Sequence, residues 1–240
     1  MAGSRTRVTT LSIDVGGTGL KASVLDERGR MLVDRVRVET PVGSPPGVVV
    51  TALRRLVAPL PHYHRVSVGF PGVVRDGVVR TAPNLGHTGW QGYDLARALQ
   101  RALGRPVRVI NDADMQGLAA IRGKGLELVL TLGTGFGSAL YIHGRLAPHL
   151  ELAHVPFRKG ETFEQQLGNA ARKQAGARAW NRRVRKALDV LFTLTQYDRA
   201  YLGGGNSKHL QGKLPRNTSI VPNEKGILGG IHLWREGVAL

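Results

Sequence analysis

Two short strings in this chain carry groups whose types and spacing suit the binding of phosphate. In "DVGGTG" Asp14 precedes Gly16, Gly17 and Thr18, and Lys21 follows; in "LGTGFGS" Gly133, Gly135 and Gly137 alternate with Thr134 and Phe136. Glycine reaches positive φ and lets backbone N–H groups approach a ligand with no Cβ in the way. Several such groups turned inward form a nest for an anion. A tight β-hairpin would use the same glycines. Two loops with the same Gly-Thr-Gly chemistry, each set between apolar runs, weigh toward phosphate. The P-loop string GxxxxGK[ST] does not occur. "GTGFGS" also has the wrong spacing for a dinucleotide fingerprint and runs into the strand-like "ALYIHG".

A third string supplies an acid. "VINDAD" puts Asn111 and Asp112 where a strand gives way to a helix. The helix dipole there favours an ionised carboxylate, which could take a proton from a substrate hydroxyl during phosphoryl transfer. The same aspartate would also serve as a simple N-cap. Asp114 is expected on the surface of the first turn. Asn84 in "PNLGHTGW", and Glu151 with His154 in "LELAHVPF", offer hydrogen bonds suited to sugar hydroxyls, with Trp90 as an apolar face beside them.

The elements that must position these groups follow from pattern. Residues 8 to 15, 20 to 26 and 31 to 38 read as three antiparallel strands, followed by a helix that starts at Ser44 and stops at Pro59. "RVSVGFPG" reads as a strand, "VRDGVVR" as a hairpin, and "GYDLARALQRALG" as a helix ending at Gly104. The strands-then-helix order begins again at residue 126, and a third glycine cluster, "YLGGGNSK", closes a strand near residue 202. Two similar α/β lobes are expected. The smaller spans residues 1–110, with a helix near 225–237 returning to it; the larger spans 111–224.

The 240 residues include 34 Lys and Arg against 17 Asp and Glu, a net charge of +17, and no cysteine. Disulfides and thiolate zinc sites are excluded, and a positive field that draws in polyanions is expected. Residues 172–186, "RKQAGARAWNRRVRK", carry seven basic residues and no acidic one. On a helix, Arg178, Arg182 and Arg185 share one face opposite Trp180, Val184, Leu188 and Leu191. That face suits either a polyphosphate track or water alone. No apolar leader and no run of membrane length occur, so a cytoplasmic protein with no membrane partner is expected.

Taken together, these strings resemble the ROK family of sugar kinases. "IDVGGTGLKASVLD" and "LTLGTGFGSAL" are similar to its two phosphate motifs, "YLGGGNS" to its nucleotide-side motif, "INDAD" to its catalytic segment and "ELAH" to its ExGH sugar motif. "PNLGHTGW" and "PFRKGETFEQQLG" resemble the polyphosphate glucokinase branch. The resemblance implies an α/β, two-lobed actin-like ATPase or hexokinase (ribonuclease H-like) fold with a cleft between the lobes. It implies transfer of a phosphoryl group from polyphosphate or ATP to the glucose 6-hydroxyl, with Asp112 as base. Asn84, Asn111, Glu151, His154 and Glu164 fall on sugar positions. Asp14, Gly16, Gly17, Thr18, Lys21, Gly133, Thr134, Gly135, Gly204 and Gly205 fall on phosphate positions.

Mg²⁺ is the implied cofactor, held through the donor phosphates with Asp14 beside them. The family's cysteine cluster is absent, so no zinc is expected and His154 is left to the sugar. Ala153 replaces the glycine of ExGH, which would alter the pocket if that position needs positive φ. A homodimer is implied, with no specific nucleic acid. The alternatives are a strictly ATP-dependent hexose kinase and a sugar-binding ROK protein without catalysis. With a first strand near residue 8, the helix-turn-helix of the family's repressors is not expected.

Overall fold

The computed structural model describes residues 7–41, 43–86, 88–222 and 225–235. These form two units, each built on a five-stranded sheet. In the first, β1 (Thr10–Val15) and β2 (Leu20–Leu25) are antiparallel and β3 (Val36–Val38) lies outside β2. On the other side β4 (Arg65–Phe70) and β7 (Val107–Asn111) run parallel to β1, giving the order β3-β2-β1-β4-β7. A small hairpin, β5 (Val74–Arg75) and β6 (Val78–Val79), lies between them in sequence. β1 and β4 are buried almost throughout although their sequences, TLSIDV and RVSVGF, alternate polar or small residues with apolar ones.

Helix α1 (Pro46–Val57) opens on a proline at its first turn and stops ahead of Pro59. In α2 (Leu95–Leu103) the Asp94 side chain caps the N-terminus, and Gly104 closes the other end in the left-handed region (φ 65°). Trp90 is 1% exposed, its ring 5.0 Å from Phe70 and 5.9 Å from Tyr93. It is part of the core and is not the ligand-facing ring expected from sequence.

Helix α3 (Asp112–Leu118) belongs to this first unit, so the division falls after Ala119 rather than at residue 110. Gly69 of β4 explains the attachment: a Cβ there would lie 2.8 Å from Met115 Cε and 3.2 Å from Asp112 Cα. The chain also returns to this unit from Gly226 onward. It does so as a single turn, α6 (Lys225–Leu228), and a 3₁₀ segment (Gly229–Trp234), not as the longer helix expected; residues 236 and 237 lie outside the described residues. Two serines buried in the strands are thereby explained. Ser12 Oγ donates to the Ile227 carbonyl and Ser67 Oγ to the Gly230 carbonyl, both at 2.6 Å. Trp234 Nε1 donates to Ser67 Oγ at 2.9 Å, and the guanidinium groups of Arg65 and Arg108 sit over the Trp234 ring at 5.2 and 4.6 Å. A Cβ on Gly229 or Gly230 would collide with the Met115 carbonyl or Ser12 Oγ, so only glycine permits this approach.

The second unit repeats the plan. β8 (Leu126–Leu132) pairs antiparallel with β9 (Phe136–Ile142), β10 (Arg145–Leu146) extends that side, and β13 (Arg199–Gly203) and β14 (Thr218–Ile220) add in parallel. The order is β10-β9-β8-β13-β14. A hairpin, β11 (Pro156–Arg158) and β12 (Glu161–Thr162), leads into α4 (Phe163–Leu167), whose start is fixed by a capping box between Thr162 and Gln165. Helix α5 (Asn169–Thr195) is broken at Gly176 (φ 74°, ψ 162°). Beyond the break Trp180, Val184, Leu188 and Leu191 form the buried stripe expected from their spacing.

Glu127, 1% exposed, is the anchor at the entrance to this unit. Its carboxylate accepts the backbone N–H groups of Arg122, Gly123 and Lys124 (2.7, 2.7 and 3.1 Å) and the Tyr201 hydroxyl (2.7 Å). Four donors offset the cost of burying the charge. Burial, and then the Glu127 carboxylate, push the Tyr201 hydroxyl up to about 12. Among the described residues no helix is long and apolar enough to cross a membrane.

One group in the first unit ties stability to pH. Burial, and then the charge of Arg235, push the His232 imidazole down to about 4, and its Nδ1 has no hydrogen-bond partner among the described residues. The unfolded chain therefore takes up this proton first, so stability is complete above about pH 6.5 and is lost as the pH falls toward 4. A loss of up to about 2 kcal/mol by pH 5 is expected, less to the extent that solvent screens the ring. Thermal melts at pH 7 and pH 5 should show it, and His232→Leu should flatten the slope; identical slopes in both proteins would place the acid sensitivity elsewhere.

Candidate active site

The glycine loops of both units, and Asp14, Asn111 and Asp112 of the first, lie at the carboxyl ends of the parallel strands, where open α/β sheets characteristically bind ligands. In the first unit Asp14 is in register with Gly69, and Gly69 with Ile110. The ends of β1, β4 and β7 therefore lie level, with strand spacings of roughly 4.8 Å between them. Asp14 stands at one end of this row and Asn111 and Asp112 at the other.

Asn111 is the cap of α3. Its Oδ1 accepts the N–H groups of Ala113 (2.8 Å) and Asp114 (3.3 Å), and its Nδ2 donates to the Gly72 carbonyl at 3.1 Å. Capping thus falls to Asn111, and Asp112 occupies the first helical position, half-buried, with Oδ1 accepting from the Ala113 N–H at 2.8 Å. The N-terminal end of the dipole favours its ionised form. Asp114 is 2% exposed, contrary to the surface position expected, because α3 is sandwiched between β4 and the C-terminal segment.

The turn from β1 to β2 holds Gly16, Gly17 and Thr18. Gly16 N–H donates to the Gly19 carbonyl (3.0 Å), Thr40 Oγ1 donates to the Gly16 carbonyl (2.5 Å), and the Arg37 guanidinium donates to the Thr18 carbonyl (3.3 Å). Lys21 is paired across the strands with Asp14 at 2.8 Å, both about three-quarters buried. Asn84, exposed, lies against the turn: a Cβ on Gly17 would fall 3.3 Å from its Cβ.

The second glycine loop is held in the same manner. Gly133 N–H donates to the Gly135 carbonyl at 3.0 Å. Asn206 Nδ2 donates to the Gly133 carbonyl (2.7 Å), Asn206 N–H to the Leu132 carbonyl (2.8 Å), and Asn169 N–H to the Thr134 carbonyl (3.1 Å). The Arg172 guanidinium spans Asn206 Oδ1 (3.2 Å) and Asn169 Oδ1 (3.0 Å). Both loops are thus gripped through their carbonyl oxygens, while the N–H groups of Gly16 and Gly133 are taken up within the turns; an anion nest would draw on the remaining N–H groups. None of Gly16, Gly17, Gly133 and Gly135 takes positive φ; only Gly204 does (φ 83°), where any Cβ would strike Leu132. For Gly135 the need is room, because its Cβ would lie 2.7 Å from Glu164 Oε2. Gly205 is exposed beside Gly204. Asn206, Asn169 and Arg172 were not singled out from sequence, because their partners in the loop lie far away along the chain.

Glu164, half-buried on α4, therefore faces this loop. The Phe163 N–H donates to the Val155 carbonyl at 3.2 Å and sets α4 against the 3₁₀ turn Leu152–His154. Glu151 precedes that turn with Oε2 3.8 Å from His149 Nε2. The His149 imidazole holds the Glu151 carboxyl below its ordinary value against the opposing effect of burial, and His154 adds to the lowering. His154 itself is exposed. Ala153 is 3% exposed, packs in the core and does not take positive φ, so the methyl group meets no backbone constraint. Arg178 and Arg182 are exposed on α5, whereas the Arg185 guanidinium is bonded to the carbonyls of Gln211 and Lys213. No cluster of three or more His, Cys, Asp or Glu suited to a metal occurs among the described residues.

Comparison with known proteins accords with this geometry. The ROK family model matches residues 10–154. The polyphosphate glucokinase of Mycobacterium tuberculosis (strain CDC 1551 / Oshkosh) is 32% identical over 243 residues, covering 95% of this chain and 91% of the relative. The crystal structure of inorganic polyphosphate/ATP-glucomannokinase from Arthrobacter sp. strain KM superposes with a TM-score of 0.83 at 35% identity, covering 94% of this chain and 97% of that one. A ROK family glucokinase from Streptomyces griseus, in complex with glucose and AMPPNP, shares the fold with a TM-score of 0.79 at 22% identity, covering 95% of this chain and all of that one. The fold is the two-lobed actin-like ATPase fold, and the chain belongs to the ROK family.

Proposed function

We propose that this chain is a kinase that transfers a phosphoryl group from inorganic polyphosphate to the 6-hydroxyl of glucose, giving glucose 6-phosphate. The observation that carries the reading is the start of α3, where Asn111 takes over the capping and Asp112 stands at the carboxyl ends of the strands in the field of the helix dipole. A carboxylate there can accept the hydroxyl proton as the new O–P bond forms and the bond to the leaving phosphate breaks. Gly16, Gly17 and Thr18 in the first unit, and Gly133, Thr134, Gly135, Gly204 and Gly205 in the second, are the proposed donor-phosphate positions; the N–H groups of Gly16 and Gly133 brace their own turns, so donor oxygens would fall to the other N–H groups of these loops. Asn84, Asn111, Glu151, His154 and Glu164 would take the sugar hydroxyls. The names of the relatives support the donor and the acceptor, and the glucomannokinase makes ATP and mannose the second donor and acceptor to test.

Mg²⁺ binds through one or two carboxylates, donor phosphates and retained water. Asp14, partly exposed and held by Lys21, fits that modest demand without a dedicated cage of ligands. When bound, the ion would neutralise charge on the donor oxygens. A cytoplasmic setting and a homodimer complete the proposal.

Purified protein with Mg²⁺ and glucose, supplied with long-chain polyphosphate or with ATP, should form glucose 6-phosphate from polyphosphate. Activity with ATP alone would make this an ATP-dependent kinase, and activity with neither would leave a sugar-binding protein. Asp112→Asn should lower kcat by at least about a hundredfold while glucose still binds by calorimetry; near-normal turnover would remove Asp112 from the role of base. Asn206→Ala should cost about 1–3 kcal/mol in urea unfolding, by removing a buried partner from the Gly133 carbonyl and from Arg172. It should also raise the donor KM more than the glucose KM. An unchanged unfolding midpoint would show that the loop does not depend on this grip.

A further inference from the structure

Apart from the glycine loops, the second lobe has a concavity of about 320 Å³ lined by Arg158, Lys159, Ala179, Arg182, Arg183 and Lys186. Five of the six are cations, no carboxylate lines it, and none of the five forms an ion pair among the described residues. Like charges so gathered repel one another unless an anion lies among them.

The surrounding chain holds this cluster in place and offsets its charge only in part, through Glu161 in register with Arg158 across the hairpin. Lys159 and Gly160 form the tip of the β11–β12 hairpin, both at positive φ (54° and 76°). That conformation is costly for lysine and places it at the rim. Gln166, 3% exposed, binds the other side: Arg158 donates to its Oε1 at 3.1 Å and Arg183 to its carbonyl at 3.4 Å. The neutral side-chain amide thus orders Arg158 where a carboxylate would have cancelled its charge, and the main-chain carbonyl of the same residue orders Arg183. The nearby Glu161 carboxylate is engaged by Gln166 Nε2.

Gln166 also connects the concavity to the glycine loop. It lies two residues beyond Glu164 on α4, and Glu164 faces Gly135. Residues i and i+2 point to opposite sides of a helix, so loop and concavity flank α4, about one helix diameter (~10 Å) apart. Apart from Ala179 the lining is cationic, with no aromatic ring on which a base could stack, and this favours a bare phosphate chain over a nucleic acid.

We propose that this concavity is an anchoring subsite for the distal part of a polyphosphate chain whose reacting end lies toward the glycine loop of the same lobe, Gly133 to Gly135. The proposal rests on the donor assigned above. It modifies the track expected from sequence: Arg182 belongs to it together with Arg158, Lys159, Arg183 and Lys186, while Arg185 is committed to carbonyls of its own lobe.

The test is the double variant Arg182→Glu/Lys186→Glu, since both side chains are exposed, with the neutral pair Arg182→Gln/Lys186→Gln as a milder control. KM for long-chain polyphosphate should rise at least about tenfold, and KM for tripolyphosphate by less than about twofold, because only the long chain spans both places. Equilibrium dialysis of long-chain polyphosphate against increasing salt should show a shallower dependence for the variant. Equal changes for long and short donors, or unchanged binding of the long chain, would overturn the subsite. Binding of a single-stranded oligonucleotide that is lost in the variant, with the polyphosphate KM unmoved, would reassign the concavity to nucleic acid. Absence of glucose 6-phosphate from every donor would sink the proposed activity, whereas the dialysis would still decide the subsite.

Discussion

The Asn111 side chain locks three pieces of the first lobe together. It closes the first turn of α3 through two backbone N–H groups and reaches the Gly72 carbonyl in the turn after β4. The end of β7, the start of α3 and the turn after β4 cannot then move separately. A Cβ at Gly69 would press on Met115 and Asp112, so glycine there lets α3 lie against the sheet. The position of Asp112 follows from these contacts, and replacing the cap would displace the acid before altering its chemistry.

Each lobe applies the same rule to its glycine loop. A parallel strand delivers the loop to the edge of the sheet, and donors from elsewhere take up its carbonyls: Thr40 and Arg37 in one case, Asn206 and Asn169 in the other. The two sheets share a strand order without sharing these partners. The common element is the backbone arrangement, which explains why unlike side chains support like loops.

Much of the fold was legible because it rests on local pattern. The Val-, Leu- and Ile-rich stretches of β1, β4 and β8, the Gly104 stop and the Trp180 to Leu191 stripe are properties of short windows. What escaped was set by distant partners. Trp90 looked available beside polar residues, but Phe70 and Tyr93 enclose it. Asp114 looked like a solvated first-turn acid, yet a segment more than a hundred residues later covers its helix. The glycines of the loops suggested positive φ, whereas at Gly135 the constraint is the proximity of Glu164. Glu127 carried no signal in sequence, since its donors acquire meaning only once the chain turns at residues 122 to 124. Among the candidate site residues, Asp112, Asn111 and both glycine loops could be picked out from type and spacing, while Asn206 and Arg172 could not.

The return of the chain at Gly226 has a consequence during synthesis. The first lobe is not finished when Ala119 leaves the ribosome, because Ser12 and Ser67 face the place that Ile227, Gly230 and Trp234 will fill. At 5–20 residues per second, roughly a hundred intervening residues take about 5–20 s to make. For that interval the nascent sheet presents an uncovered face, and the second lobe, continuous in sequence, can complete its own core first. The lobe translated first is therefore the lobe that finishes last, and any pause late in translation prolongs the exposure of its sheet.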